Sequence, residues 1–564
     1  MNMSLKCPII LFAISFFALS PISYATDSIS EANLFSVLPP QAAVAFRIVS
    51  IQDMGAHFDA FMEKAAGFTA PDQIETIVKS PFELKSLDGM AKDQSVWAFL
   101  FLNEIDDYEP EDYLVCRYPL SDESQFLAQF PLDKTGDGEY ASGDLRIWSR
   151  DGAAILCKKK AEEIVKAWLK EKDSFSPVKD WPRKNGEDAA LWINLEKILG
   201  QVGGEIEKEF ENTVQHKSVH ADALIESVSP IAAMKAKWGL DLLRQIESVH
   251  LSLGFSAESA LLEKNIRIRS GSPLAQFFAA FTPADPMPLL SALPAQGILH
   301  YFVNIPPCFF DMSRERILRD ATKAEADGKG LGETWTLAAK TLTGLQAGAV
   351  ELADKEDQLV QFTHLFDVSN REAALELAKT HIEWMKRAAA SLFDGGEILC
   401  SIQDRPNAGK VGEFPYSTLR IAFDAKDPES PLSNELAAFN VNLEYAAVAN
   451  AFAVSTGKIV PVLQKLNQPA AASNASAWPA AADRSAFFAA RFNLMQQFKA
   501  IQRALAKGPI NLLAGLQIPE APMEGFAISV QTKGETLTGR LILPSKDIRA
   551  VVTLFMGEKP ALGE

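Results

Sequence analysis

Twelve residues from Asp133 to Asp144, reading Asp-Lys-Thr-Gly-Asp-Gly-Glu-Tyr-Ala-Ser-Gly-Asp, have the spacing of a calcium-binding loop. Asp133, Thr135 and Asp137 occupy positions 1, 3 and 5, Gly138 the sharp turn, and Asp144 position 12. Oxygen-bearing side chains so spaced converge on a hard cation. The competing account is a polar turn. Thr135 stands where a carboxylate or amide is usual, and Leu145 to Trp148 read as a strand where such a loop leads into a helix. Calcium held by Asp133, Thr135, Asp137 and Asp144 is the one metal expectation, and no other cofactor is expected.

That segment resembles the calcium loops of EF-hand and dockerin modules. Other patterns carry less chemistry. His216 and His220 fall i, i+4 on a helical stretch with Asp222 nearby, the spacing of a zinc pair, but no third ligand and no intervening Glu accompany them. The run Glu104, Asp106, Asp107, Glu109, Glu111, Asp112 reads as a solvated hairpin tip. Ser455-Thr-Gly-Lys458 and Lys134-Thr135-Gly136 match short motifs of penicillin-binding enzymes, but in the reverse order. There is no Gly-x-Ser-x-Gly elbow and no glycine-rich phosphate loop after a strand. No catalytic residue is assigned.

The 564 residues are 48% hydrophobic and 23% charged, which excludes a disordered, collagen-like or multi-span membrane chain. A formal charge of −17 argues against a nucleic-acid partner. Residues 1–25 read as a secretory signal: Lys6 supplies the basic start, Ile9 to Leu19 the apolar run, and Ser23-Tyr24-Ala25 the small residues before cleavage. The mature chain is expected to begin near Thr26, to have no membrane span, and to be periplasmic or extracellular. Cys7 precedes the apolar run, so it is not placed as a lipid-bearing cysteine. Cys116, Cys157, Cys308 and Cys400 remain. Cys116 and Cys157 lie in strand-like runs that would permit a bridge, while so few cysteines more simply pack as small apolar side chains.

Five landmarks then recur in order. Leu38-Pro39-Pro40-Gln41 before Ala43 to Val49 returns as Leu293-Pro294-Ala295-Gln296 before Ile298 to Val303, with Ser50 and Asn304 expected to open helices. A hairpin then leads into a helix, which Ser121 is expected to open in one half and Ser369 in the other. A hairpin around Asp151-Gly152 and its helix are echoed by Tyr416 to Leu466. Trp181-Pro182 precedes a strand and Asn194-Leu195, as Trp478-Pro479 precedes a strand and Asn493-Leu494. Paired strands Val249 to Phe255 and Ala260 to Ile268 match Phe526 to Val530 and Leu537 to Leu543. The second half is expected to carry an insertion at Glu383 to Phe414 and a surface loop at Pro469 to Ala482, and the first a helical excursion from Glu205 to Ile246.

The expectation is an α+β fold: two tandem related copies, residues 26–284 and 285–564, each a mainly antiparallel sheet with helices packed on one face. A signal peptide followed by Leu-Pro, strand, Asn and helix repeats resembles a group of uncharacterised exported bacterial proteins. That resemblance implies an envelope location and supplies no activity. The favoured reading is a non-enzymatic exported envelope protein with a binding or scaffolding role toward a protein or envelope ligand. The rival is an exported hydrolase whose site is assembled from sequence-distant residues.

Overall fold

Short runs rich in Ala, Val, Leu, Ile and aromatics, punctuated by tight turns, set up strands that meet their neighbours antiparallel. The computed structural model describes residues 42–102, 110–171, 186–201, 203–204, 239–295, 297–306, 308–309, 328–353, 360–393, 396–427, 430, 433, 436, 440–457, 459–467, 486–505, 518 and 525–556. The chain forms two units, residues 1–275 with 533–553, and residues 276–532 with 554–564. The architecture is mixed α and β with extensive antiparallel sheet.

The first unit contains β1 (Ala42–Ile48), β2 (Val96–Phe101), β3 (Leu114–Pro119), β4 (Asp133–Gly136), β5 (Glu139–Ser142), β6 (Leu145–Arg150), β7 (Ala153–Lys158), β8 (Ala189–Asn194), β9 (Ile246–Phe255), β10 (Ser259–Ile268) and, by its place in the chain, β20 (Thr536–Pro544). They pair antiparallel in the order β20-β10-β9-β8-β1-β2-β3-β7-β6-β5-β4. Asp151 and Gly152 turn β6 into β7 with φ of 51° and 69°, the two positive values that a tight hairpin turn requires.

Helices α1 (Ile51–Ala66), α2 (Gln73–Lys79) and α3 (Glu123–Leu127) cover one face. There Met54, Ile74, Val78 and Phe126 pack with Ile48, Cys116, Tyr118, Ala154 and Leu156. Helix α4 (Glu162–Glu171) covers the other, where Val165 and Trp168 pack with Trp97, Phe99, Val115, Ile155 and Cys157. Helices on one face is therefore corrected to helices on both. The physical signal is the unbroken apolar run Ala153 to Cys157 of β7, buried at every position, which has no polar side to turn to water. Each large side chain so buried contributes about 1.5–3 kcal/mol.

Helix α5 (Pro273–Ala279) carries the chain across the division. The second unit contains α6 (Met287–Leu290), β11 (Leu299–Asn304), α7 (Gly328–Thr341), β12 (Leu342–Leu352), β13 (Val360–Val368), α8 (Arg371–Leu392), β14 (Ile398–Val411), β15 (Phe414–Ala425), β16 (Val441–Val448), β17 (Ala451–Ser455), α9 (Ile459–Leu466), β18 (Phe488–Phe492), α10 (Leu494–Leu505) and β19 (Phe526–Lys533). Its strand order is β19-β18-β11-β12-β13-β17-β16-β15-β14. Ile459, Val462 and Leu463 of α9 pack with Phe302, Ala347, Leu365 and Ala453, while Ala374 and Ile382 of α8 lie on the opposite face with Val368, Leu419 and Tyr445. Residues 398–411, expected within an insertion, are β14 of a long hairpin. The last helix, α11 (Ser545–Met556), follows β20.

Caps follow local chemistry. Ser50 Oγ accepts from the Asp53 N–H at 3.0 Å and opens α1. Asn194 Oδ1 accepts from the Lys197 N–H at 2.9 Å, and Asn493 Oδ1 from the Gln496 N–H at 3.2 Å, each between a strand and a helix. Three expected caps differ. Asp122 and Asn370 open α3 and α8, one residue after Ser121 and Ser369, whose hydroxyls donate to the carbonyls of Met90 and Lys340. Asn304 ends β11 and donates its amide to the Thr282 carbonyl at 2.8 Å.

Cys116 and Cys157 sit on adjacent strands, but Cys116 is opposite Leu156 and Val115 is opposite Cys157. One residue of register puts the two thiols on opposite faces, so no bridge forms and both are free and buried. Burial raises each thiol to about 12. Because the thiolate is the nucleophile, iodoacetamide at pH 8 is expected to leave both unmodified in the native protein and to label both in urea, as read by peptide mass spectrometry.

Candidate functional site

One rung of the first unit concentrates charge where the flanking strands are apolar. Arg47 is opposite Trp97, and Trp97 opposite Arg117, so three adjacent strands β1, β2 and β3 present Arg, Trp and Arg in a row. Alternation along each strand assigns all three to the α4 face, with Ala45, Phe99 and Val115 on the next rung. Arg47 is 5% exposed and Arg117 9%. The Arg47 guanidinium lies 5.3 Å over the Trp97 ring, and its Nε donates to Ser95 Oγ at 3.2 Å. Trp97 stacks on Trp192 at 5.6 Å, and Trp192 on His250 at 4.8 Å. Arg117 Nε has no hydrogen-bond partner, and burial alone pulls its guanidinium below its ordinary value. Trp148, two strands beyond Arg117 through Ile155, is 2% exposed, and its indole N–H also lacks an acceptor. These groups all donate, so the arrangement suits an acceptor-rich, anionic ligand.

Motif searching misses this site because its residues come from three strands and are joined only by register. The available signal was an arginine at an inward position within each of two apolar strands, Ala42–Ile48 and Leu114–Pro119.

The proposed calcium residues are placed differently from one another. Asp133 opens β4, Thr135 lies within it, Asp137 is in the turn to β5, and Asp144 is in the turn between β5 and β6. Two short antiparallel strands stand where a single loop was expected, because Glu139 to Ser142 pair with both Asp133 to Gly136 and Leu145 to Trp148. Among the described residues, no group of three or more His, Cys, Asp or Glu is gathered to hold a metal ion. His216, His220 and Asp222, the signal segment 1–25, and Glu104 to Glu109 lie outside the described residues, as do Lys458 and both Trp-Pro pairs. Of the acidic run, Asp112 is buried and held by Lys158 at 2.8 Å and Lys160 at 2.6 Å; the Lys158 hydrogen bond leads in lowering its carboxyl below the usual range. It is a structural ion pair and not a solvated tip. Ser455, buried at the end of β17, shares a hydrogen bond with Thr363 at 3.1 Å.

Two histidine arrangements bear on the hydrolase rival. His57 Nδ1 lies 2.7 Å from Asp188, whose other oxygen accepts from the Phe255 N–H at 2.7 Å. No hydroxyl or thiol among the described residues is hydrogen-bonded to His57. In the second unit His364 lies between the Tyr301 hydroxyl, 2.8 Å from Nδ1, and Gln346, 3.1 Å from Nε2.

No protein-family model matches the chain, and no curated protein matches it significantly. Two solved structures, crystal forms I and IV of TP0453, align at 10% and 12% identity with TM-scores of 0.22 and 0.21. They cover 44% and 42% of this chain and 82% and 83% of their own. Likeness at that level carries no argument about function. Among the described residues, no helix is long and apolar enough to cross a membrane.

Proposed function

We infer that the chain is an exported, non-enzymatic binding protein of two related α+β units, one of which has kept or acquired a pair of buried arginines on one rung of its sheet. The observation that carries this reading is a contrast at one position of the strand order. In the first unit the rung over β9, β8, β1, β2, β3, β7 and β6 reads Ser252, Ala190, Arg47, Trp97, Arg117, Ile155, Trp148. In the second, the strands at the same places β19, β18, β11, β12, β13, β17 and β16 read Ser529, Ala489, Phe302, Ala347, Leu365, Ala453, Ala446. The shared Ser-Ala pair and the helix-capping Asn194 and Asn493 support duplication. Apolar residues at every central position of the second rung show that this sheet position can be filled without charge, so the arginines of the first are better explained by ligand recognition than by folding.

Thermal-shift screening of the mature chain against small anions, sugars and amines, alongside chromogenic ester, amide and glycoside substrates, tests the reading. A ligand-dependent rise in melting temperature without turnover is expected. Substrate turnover abolished by His57→Ala would establish the hydrolase instead.

A further inference from the structure

Resting on that binding reading, we propose that the Arg47, Trp97 and Arg117 rung binds a compact oxyanion, the carboxylate or phosphate group of a small ligand, with Arg117 as its main fork. A guanidinium removed from water needs an anionic or strongly accepting partner, and its planar fork matches a carboxylate or phosphate edge. The protein does not supply that partner to Arg117 among the described residues. Along the rung Glu263 lies five strands away, about 24 Å at the usual ~4.8 Å interstrand spacing. On the other side Glu139 lies three strands away, about 14 Å by the same spacing, and approaches Arg150 at 3.7 Å.

The surroundings also select the size of the ligand. Trp97 is fully buried and stacked against Phe99 and Trp192, so its ring face is already covered and a flat aromatic ligand has no place to stack. Arg117 and the Trp148 N–H are donors on one face, separated by Ile155. With Arg117 9% and Trp148 2% exposed, the rung is closed to a polyanion such as nucleic acid, consistent with the acidic composition of the chain, so the proposed ligand is limited to a small charged group.

The test is titration of the mature full chain with sodium phosphate, sodium acetate and sodium chloride at constant ionic strength, read by intrinsic tryptophan fluorescence and melting temperature. Saturable 1:1 binding of phosphate or acetate is expected, the preferred anion identifying the ligand group. Arg117→Gln is expected to weaken it about tenfold or more, the usual scale for losing a charge-assisted hydrogen bond, and Arg420→Gln on an exposed position of β15 to leave it unchanged. Should Arg117→Gln not fold, Arg117→Lys, which keeps the charge and loses the fork, decides by the same tenfold criterion. Responses that do not saturate, that chloride reproduces, or that persist at parental affinity in the Arg117 variants would overturn the oxyanion site. A different ligand emerging from the broader screen would then leave the binding reading standing, whereas turnover would remove that reading independently.

Discussion

Lys264→Met is expected to stabilise the first unit by about 3 kcal/mol at pH 7, an unusual sign for a substitution inside a strand. Lys264 lies on β10 opposite Leu251 of β9 and Gly539 of β20, and alternation puts Leu262 and Ile266 on its face. It is 2% exposed, and its Nζ has no hydrogen-bond partner. Burial pulls the ammonium down to about 8 from 10.5. A base whose folded value is depressed binds fewer protons folded than unfolded between those two values. Stability therefore rises as pH increases from about 8 to 10.5, and below 8 the full cost of charging the buried amine is carried. At about 1.4 kcal/mol per unit, that cost is about 3 kcal/mol. Methionine fills a similar volume without the charge. Urea unfolding at pH 7 and pH 10.5 checks this: the variant should be the more stable at pH 7 and lose that advantage at pH 10.5. A less stable variant at pH 7 would mean that the ammonium is compensated in the folded chain.

The second large effect is acid sensitivity of the second unit through His364. Burial holds its imidazole down at about 4, against 6.5 when unfolded. The tyrosine hydroxyl of Tyr301 donates to Nδ1, and the Nε2–H donates to Gln346 Oε1, an assignment made from these partners. The ring also stacks on Phe366 at 4.3 Å. Tyr301 reaches His364 because Gly348 stands between them on β12; a Cβ there would lie 2.4 Å from the tyrosine ring. Between pH 6.5 and 4 the unfolded chain binds more protons, so stability falls as pH falls through that window. The loss attributable to this group is about 2–3 kcal/mol, taking a little less than the full shift for its partial exposure. His364→Gln, which keeps an acceptor for Tyr301, should show a correspondingly flatter acid limb in denaturant melts from pH 7 to 4. Parallel pH profiles for the two proteins would refute the assignment.

Both effects depend on charged or titratable side chains that strand registry carries into places their sequence neighbours do not announce. Local chemistry was legible in advance. The hairpin at Asp151-Gly152 follows from two adjacent residues that tolerate positive φ, and Ser50, Asn194 and Asn493 cap helices because their side-chain oxygens reach N–H groups only three residues away. The antiparallel character of the sheets follows from hairpins closed by short turns. Such interactions are encoded within a few residues, and sequence alone determines them.

Long-range register decided the rest. Cys116 and Cys157 both lie in strands, which permits a bridge, and only a one-residue offset in pairing sends them to opposite faces as free, buried side chains, the simpler of the two expectations. Asp133 to Asp144 had a cation-loop spacing, yet cross-strand hydrogen bonding made it successive short strands. Arg47, Trp97 and Arg117 are separated by fifty and twenty residues in the chain and become neighbours only when β1, β2 and β3 align. Spacing along a chain specifies helix caps and turns, whereas which side chains share a sheet face depends on pairing between distant strands. That pairing is selected by burial of whole faces, a property of the folded sheet and of no single segment.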